Sequence, residues 1–268
     1  MIDLPAWTPT EIIWMRALFG ASLLVWTLPI TGGSTTVPVG VAKWVDPSPL
    51  LDHRWMKYAV PLLLPLFVSG VAQPVPAVLL ALLYILAITV RSSDGAVSHG
   101  HHMAAIVLTA MAAAEIADRL TRTFDLSWEV DARTAPGFAV QAVLALYFSA
   151  GASKVIMSGG TWIAQTPRLE LAMLAKTYQR VDSDPTDRTV RFAEFFRRHP
   201  TIVRVAAGLG LLVEVLAPLG LLHPTALMAT GVALIALHLF NGLFLRLPFP
   251  ANQAVVVIFL VLFSVDLG

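Results

Sequence analysis

Long apolar runs broken by short polar or proline-bearing stretches dominate the chain. In order they are Glu11–Ile30, Tyr58–Gln73, Val75–Val90, His102–Ala117, Pro136–Met157, Thr201–Leu222, Pro224–Phe244 and Ala251–Leu267. A helix needs about 17–25 mostly apolar residues to cross a bilayer, so eight spans are expected, the second to fourth being short. Gln73-Pro74-Val75-Pro76 joins the second run to the third, and His223-Pro224 joins the sixth to the seventh. Both read as tight helical hairpins, with proline near each new helix start. No repeat, low-complexity tract or linker divides residues 1–268. The expected fold is therefore an all-α integral membrane protein, a single polytopic bundle of about eight transmembrane helices.

Two longer segments fall outside these runs. Residues 31–57 are rich in Gly, Pro and Thr and include Trp44 and Trp55, which suits an interfacial loop. Residues 158–200 contain an amphipathic stretch, Arg168–Lys176, and a basic helix, Arg188–Arg198, separated by a polar turn at Asp182–Asp187. Packing over the mouth of the bundle is their expected role.

Composition supports the membrane class and narrows the chemistry. Hydrophobic residues make up 57% of 268 and charged residues 13%, with a mean hydropathy of +0.74. Such values lie far from ordinary soluble usage. A net charge of +1 gives no nucleic-acid footprint. The absence of cysteine excludes disulfides, thiolate catalysis and Cys-ligated metal or iron–sulfur sites. The first ten residues carry no basic n-region, so no cleaved signal peptide is expected.

Charged groups inside apolar helices are expensive and have to be paired, hydrated, snorkelled or used. Lys154 sits in the last turn of the fifth run, and Tyr147, Gly151 and Lys154 share a helix face at i, i+4, i+7 spacing. The small residues Ser149–Ser153 around them allow another helix close approach. If the spans alternate in direction, Lys154, the pair His101 and His102 opening the fourth span, and His238 and Asn241 on the seventh gather at one end. That gathering points to a functional cavity, although each residue alone also fits a satisfied core or interface position. Glu214, midway along the sixth run, is expected to be protonated or paired for structural reasons, with Arg16 as the opposite-charge candidate. His99 and His102 at i, i+3 suit a metal, but no supporting ligand pattern accompanies them, and no metal is expected.

Several stretches together resemble one family. Tyr147-Phe-Ser-Ala-Gly-Ala-Ser-Lys154, with Trp162 following, is similar to the Tyr-Phe-x-Ala-Gly-x-x-Lys segment of vitamin K-dependent gamma-glutamyl carboxylases. Arg16-Ala-Leu-Phe-Gly20, Asp52 with Trp55-Met56, and His238-Leu-Phe-Asn241 followed by Phe244 and Pro248-Phe249 match further segments in the same order. The resemblance runs through nearly the whole chain. It places the chain among bacterial membrane relatives of that enzyme, the horizontally transferred transmembrane (HTTM) domain proteins of the cytoplasmic membrane.

What the resemblance implies is specific. Lys154 would be the base that deprotonates a reduced naphthoquinone (vitamin K or menaquinone hydroquinone), and His102 would assist. Tyr147, His101, His238, Asn241 and Trp162 would line the quinol site. Dioxygen would then give an epoxide and a strong base, with carbon dioxide consumed if a peptide or protein substrate is carboxylated. A tailed quinone would arrive through membrane lipid. Three departures weigh against carboxylation itself: His101 stands where the family has Asn, Ser153 where it has a first Lys, and the large substrate-recognition domain is missing. A quinol-dependent oxygenase is the leading expectation. A non-enzymatic scaffold for transport or immunity is the alternative, and a di-histidine metal oxidase is the third. Basic residues (Lys43, Arg54, Lys57, Arg91 and the 158–200 segment) concentrate at the Lys154 end, which the positive-inside rule places in the cytoplasm; the family's active site faces the lumen instead.

Overall fold

The computed structural model describes residues 7–30, 53–92, 99–125, 134–166, 194–244 and 249–264. These residues fold as helices and turns, with no strand among them. The principal helices are α1 (Pro9–Ile30), α2 (His53–Ser69), α3 (Val75–Ser92), α4 (His99–Phe124), α5 (Thr134–Met157), α6 (Pro200–Leu216), α7 (Pro224–Phe244) and α8 (Pro250–Val256). A 3-10 turn, Ala217–Leu222, extends α6, and a π-helical segment, Val257–Leu262, continues α8. The interfacial loop expected at 31–57 lies outside the described residues except for the start of α2, as does the amphipathic stretch Arg168–Lys176.

Local sequence explains where the helices start. Thr8 donates its backbone N–H and its Oγ1–H to Glu11, and the Glu11 amide donates back to Thr8 Oγ1, a capping box in front of α1. Pro9, Pro200, Pro224 and Pro250 each stand first in their helix, where a missing N–H leaves no bond unmade. The apolar pattern is less informative about ends. It predicts a fourth span over His102–Ala117, whereas α4 continues to Phe124 because Asp118, Arg119 and Arg122 end the apolar run without ending the helix. Arg122 in fact donates to Asp118 at 2.9 Å, one turn back.

Helices adjacent in sequence pack against each other in turn, and α8 returns to the middle against α4, α7 and α1. Helices α4 and α5 pack together and both bury small side chains, among them Ala104, Ala105, Ala112, Ala135 and Ala139. Phe19 of α1 meets Phe259 edge-on at 5.2 Å between ring centroids, and Trp7 donates to the Phe263 carbonyl at 2.8 Å. The first and last described segments are thereby tied together. On the outside the pattern inverts: Val205, Leu209 and Leu212 form an exposed apolar stripe along α6 at i, i+4, i+7. Among the described residues three helices are long and apolar enough to cross a membrane, Thr134–Met157, Pro200–Leu222 and Pro224–Leu243. Tyr58–Ser69, Val75–Thr89 and Pro250–Leu262 are shorter apolar helices.

A buried ion pair joins α1 to α4. Arg16 donates to Glu115, both side chains are nearly inaccessible, and the guanidinium stands 5.9 Å from the centre of the Phe67 ring. Gly70, at φ +74°, has no side chain to collide with that guanidinium, since a Cβ there would lie 2.8 Å from Arg16 Nη1. Arg16 is thus committed to Glu115 and is not the partner of Glu214, contrary to the sequence expectation. The reason is position: Arg16 lies two turns into α1, where α4 presents Glu115.

At the other end, the described part of the basic segment, residues 194–198, is helical. Glu194 accepts from Arg197 and Arg198, and those bonds, chiefly that from Arg197, hold its carboxyl down at about 2. The carboxylate therefore stays ionised at neutral pH, and this short turn carries two arginines against one acid.

Candidate functional site

The site forms where α5, α6 and α7 meet. The Lys154 ammonium donates to both carboxylate oxygens of Glu214, at 2.6 Å to Oε1. Trp162, in the short helix 162–166, places its ring 5.3 Å from Lys154 Nζ, close enough for a cation–π contact. The three N–H groups of the ammonium thus face two oxygens and one aromatic ring. Lys154 is a third exposed and Glu214 one tenth. With the carboxylate buried and the ammonium partly exposed, the pair is held mainly by its geometry and hydrogen bonds, because desolvation of Glu214 offsets part of the attraction.

Gly151 makes the pair possible. A Cβ there would meet Val215 Cγ2 at 2.9 Å, Glu214 Cβ at 3.0 Å and the Val215 amide nitrogen at 3.1 Å. The backbone of α5 therefore rests directly on α6, and Lys154, three residues on, reaches the carboxylate. The close approach expected from Ser149–Ser153 is realised at this one residue. Gly151→Ala should lower stability by about 1–3 kcal/mol, as overpacking does. Thermal unfolding in detergent would check this, and an unchanged midpoint would mean that α6 yields freely.

The register of α5 on α6 explains why Glu214 was not read as the partner of Lys154. Gly151 faces Val215, while Ile163, beyond the end of α5, faces Gly208 at 3.7 Å from its hypothetical Cβ. The helices run antiparallel, but α6 begins past the end of α5, and residues 158–166 lie along its first half. Glu214, midway in its own apolar run, consequently reaches the last turn of α5. Lys154 is covered by the segment carrying Trp162 rather than standing at an open helix end.

A second polar pair lies beside the first. Tyr147 Oη and His238 Nε2 share a hydrogen bond of 2.5 Å, and both side chains are buried. The ring of Phe249 packs against His238 at 5.6 Å between centroids. Tyr147, Gly151 and Lys154 hence do present one face toward α6 and α7, as their spacing requires.

The structure brings Lys154, Tyr147, His238 and Trp162 together and adds Glu214 and Phe249. His102, in the first turn of α4, and Asn241, one turn beyond His238, are half-buried. The side chain of His101 lies outside the described residues, as do those of Asp52 and Trp55. Among the described residues no three His, Cys, Asp or Glu side chains cluster closely enough to hold a metal ion. The sequence reading passed over Asn252, a buried amide in the first turn of α8 whose Oδ1 has no hydrogen-bond partner among the described residues. His238 Nδ1 is buried and unpartnered in the same sense. An amide and an imidazole in otherwise apolar runs are a legible signal, though only a known α7–α8 contact would have joined them.

Comparison with protein-family models, curated proteins and solved structures returns no match.

Proposed function

We propose that this chain is a multi-pass protein of a bacterial cytoplasmic membrane, crossing it with about eight helices, and that it acts there as a quinol-dependent oxygenase with Lys154 as the base. The observation that carries the reading is the Lys154–Glu214 pair, set at the depth of apolar helices and flanked by the Tyr147–His238 hydrogen bond. As a base, Lys154 would pass one proton to Glu214, with which it already shares hydrogen bonds, and its amine would then take the proton of a quinol hydroxyl. Lysine can serve here because, unlike arginine, it can act as a neutral amine. The deprotonated quinol supplies the electrons for reaction with dioxygen. Trp162, Tyr147 and Phe249 offer flat apolar surface for an aromatic ring, and the unpartnered His238 Nδ1 offers it a polar contact. Mass spectrometry of the lipid extract from purified protein is the direct test: co-purified menaquinone or its epoxide is the expected result, and extracts holding phospholipid alone would count against it.

A second reading draws on the same pair. Lys154 and Glu214 satisfy each other fully without a substrate, as in a non-enzymatic scaffold that uses an ion pair to fix helix register. The readings part on one variant. Lys154→Arg keeps the charge and can still fork onto Glu214, so a scaffold tolerates it, whereas a guanidinium cannot serve as the base.

A further inference from the structure

A basic, aromatic turn stands at the entry to α6, apart from the residues around Lys154. Residues 194–198 run by hydrogen bonds straight into α6. The His199 amide donates to the Phe195 and Phe196 carbonyls at 3.0 and 3.1 Å, and the Ile202 amide donates to the His199 carbonyl at 3.0 Å. Phe196 is buried, which pins the turn to the bundle, while Phe195 is exposed and packs on the His199 ring at 4.5 Å between centroids. Arg197 and Arg198 converge on the single carboxylate of Glu194, yet their side chains remain 63% and 68% exposed. Glu194 engages only Nε of Arg198, so both terminal nitrogens of that guanidinium are open to a ligand. Arg204, one turn into α6, is exposed and has no hydrogen-bond or ion-pair partner among the described residues.

Beside these cations the outer face of α6 turns apolar. Ile202, Val205, Leu209 and Leu212 are exposed along a helix that is long enough, with its 3-10 extension, to cross a membrane. Guanidinium groups at the head of an apolar face complement a phospholipid, whose phosphate accepts their hydrogen bonds while its chains lie along the hydrocarbon. The charge balance selects the headgroup. Three arginines against one glutamate leave an excess of two positive charges. An anionic headgroup neutralises that excess, whereas a zwitterionic one brings a cation of its own. We infer that the entry to α6 is a binding surface for an anionic phospholipid, with Arg197, Arg198 and Arg204 on its phosphate and its acyl chains against the α6 stripe. Arg204 lies one turn before Gly208, against which Ile163 packs, so the lipid borders the segment that holds Trp162 over Lys154.

This inference rests on the membrane part of the proposed function and is independent of the oxygenase chemistry. The full chain is placed in nanodiscs of equal parts phosphatidylglycerol and phosphatidylcholine, and native mass spectrometry counts the lipids of each kind that it retains on release. One basic residue near the bilayer surface favours anionic lipid by about fivefold, so wild type should retain phosphatidylglycerol over phosphatidylcholine by at least about that factor. Changing Arg197→Gln, Arg198→Gln and Arg204→Gln together should bring the ratio to about one. Arg204→Gln alone, which leaves no partner behind, should lower it about twofold or more. Arg119→Gln, at an exposed arginine of α4, should leave it unchanged. A ratio equal in wild type and the triple variant, or lowered as far by Arg119→Gln, would overturn the surface at α6. Inorganic phosphate at the lipid concentration should not displace the retained lipid; displacement would overturn the lipid in favour of a soluble phosphate. A chain that does not enter nanodiscs at all would overturn the membrane reading and this inference with it.

Discussion

Lys154→Met should destabilise the bundle, by about 2–4 kcal/mol, because it strands the Glu214 carboxylate among apolar helices. The figure sits below that for a fully buried pair because Lys154 is a third exposed. Glu214→Leu should do comparable harm by stranding the ammonium. Combining the two replaces an ion pair by two apolar side chains of similar bulk and should recover most of the loss, since such replacements are often neutral or better. Equilibrium unfolding of the four proteins forms a double-mutant cycle, and a coupling of about 1–3 kcal/mol is the expected outcome. Additive losses would mean that the charges do not depend on each other. The cycle matters for activity as well. Lys154→Met alone confounds chemistry with folding, and the stable double variant separates them.

Arg16 and Glu115 should give the largest stability effect elsewhere in the molecule. Both are more deeply buried than Lys154, and Arg16 also stands over Phe67. Glu115→Ala leaves a guanidinium with no counter-charge between α1, α2 and α4, for an expected loss of about 3–5 kcal/mol. Arg16→Met leaves instead a buried carboxylate without its counter-charge, for an expected loss of similar size. Denaturant unfolding checks both statements, and a loss below about 1 kcal/mol in either variant would show that the pair does not hold the charges assumed here.

The helices were legible because apolar runs this long admit little else, and the proline-marked starts of α3 and α7 were readable on stereochemical grounds. What the sequence concealed was register. Lys154 near the end of one run and Glu214 in the middle of another looked to lie at different depths, and nothing in either run announces that α6 starts beyond the end of α5. The same blindness sent Glu214 to Arg16 in the sequence reading, when Arg16 had a nearer carboxylate in Glu115. Spacing within one helix fared better. The i, i+4, i+7 face of Tyr147, Gly151 and Lys154 and the tight approach at Gly151 follow from α5 alone, and both hold. Contacts between helices, such as Tyr147 with His238 or Phe249 with His238, are set by packing angles that hydropathy does not encode.

The central claim is that Lys154 takes a proton from a quinol, and oxygen uptake tests it most directly. Purified protein in lipid nanodiscs would be supplied with chemically reduced menaquinone, and dioxygen consumption followed for wild type, Lys154→Arg and the Lys154→Met, Glu214→Leu double variant. The account predicts uptake above the protein-free rate for wild type and a fall of about 10²–10⁴-fold in its catalysed part for both variants, the range that loss of a general base produces. Uptake that is the same in wild type and in the folded double variant, or absent from wild type itself, would contradict it.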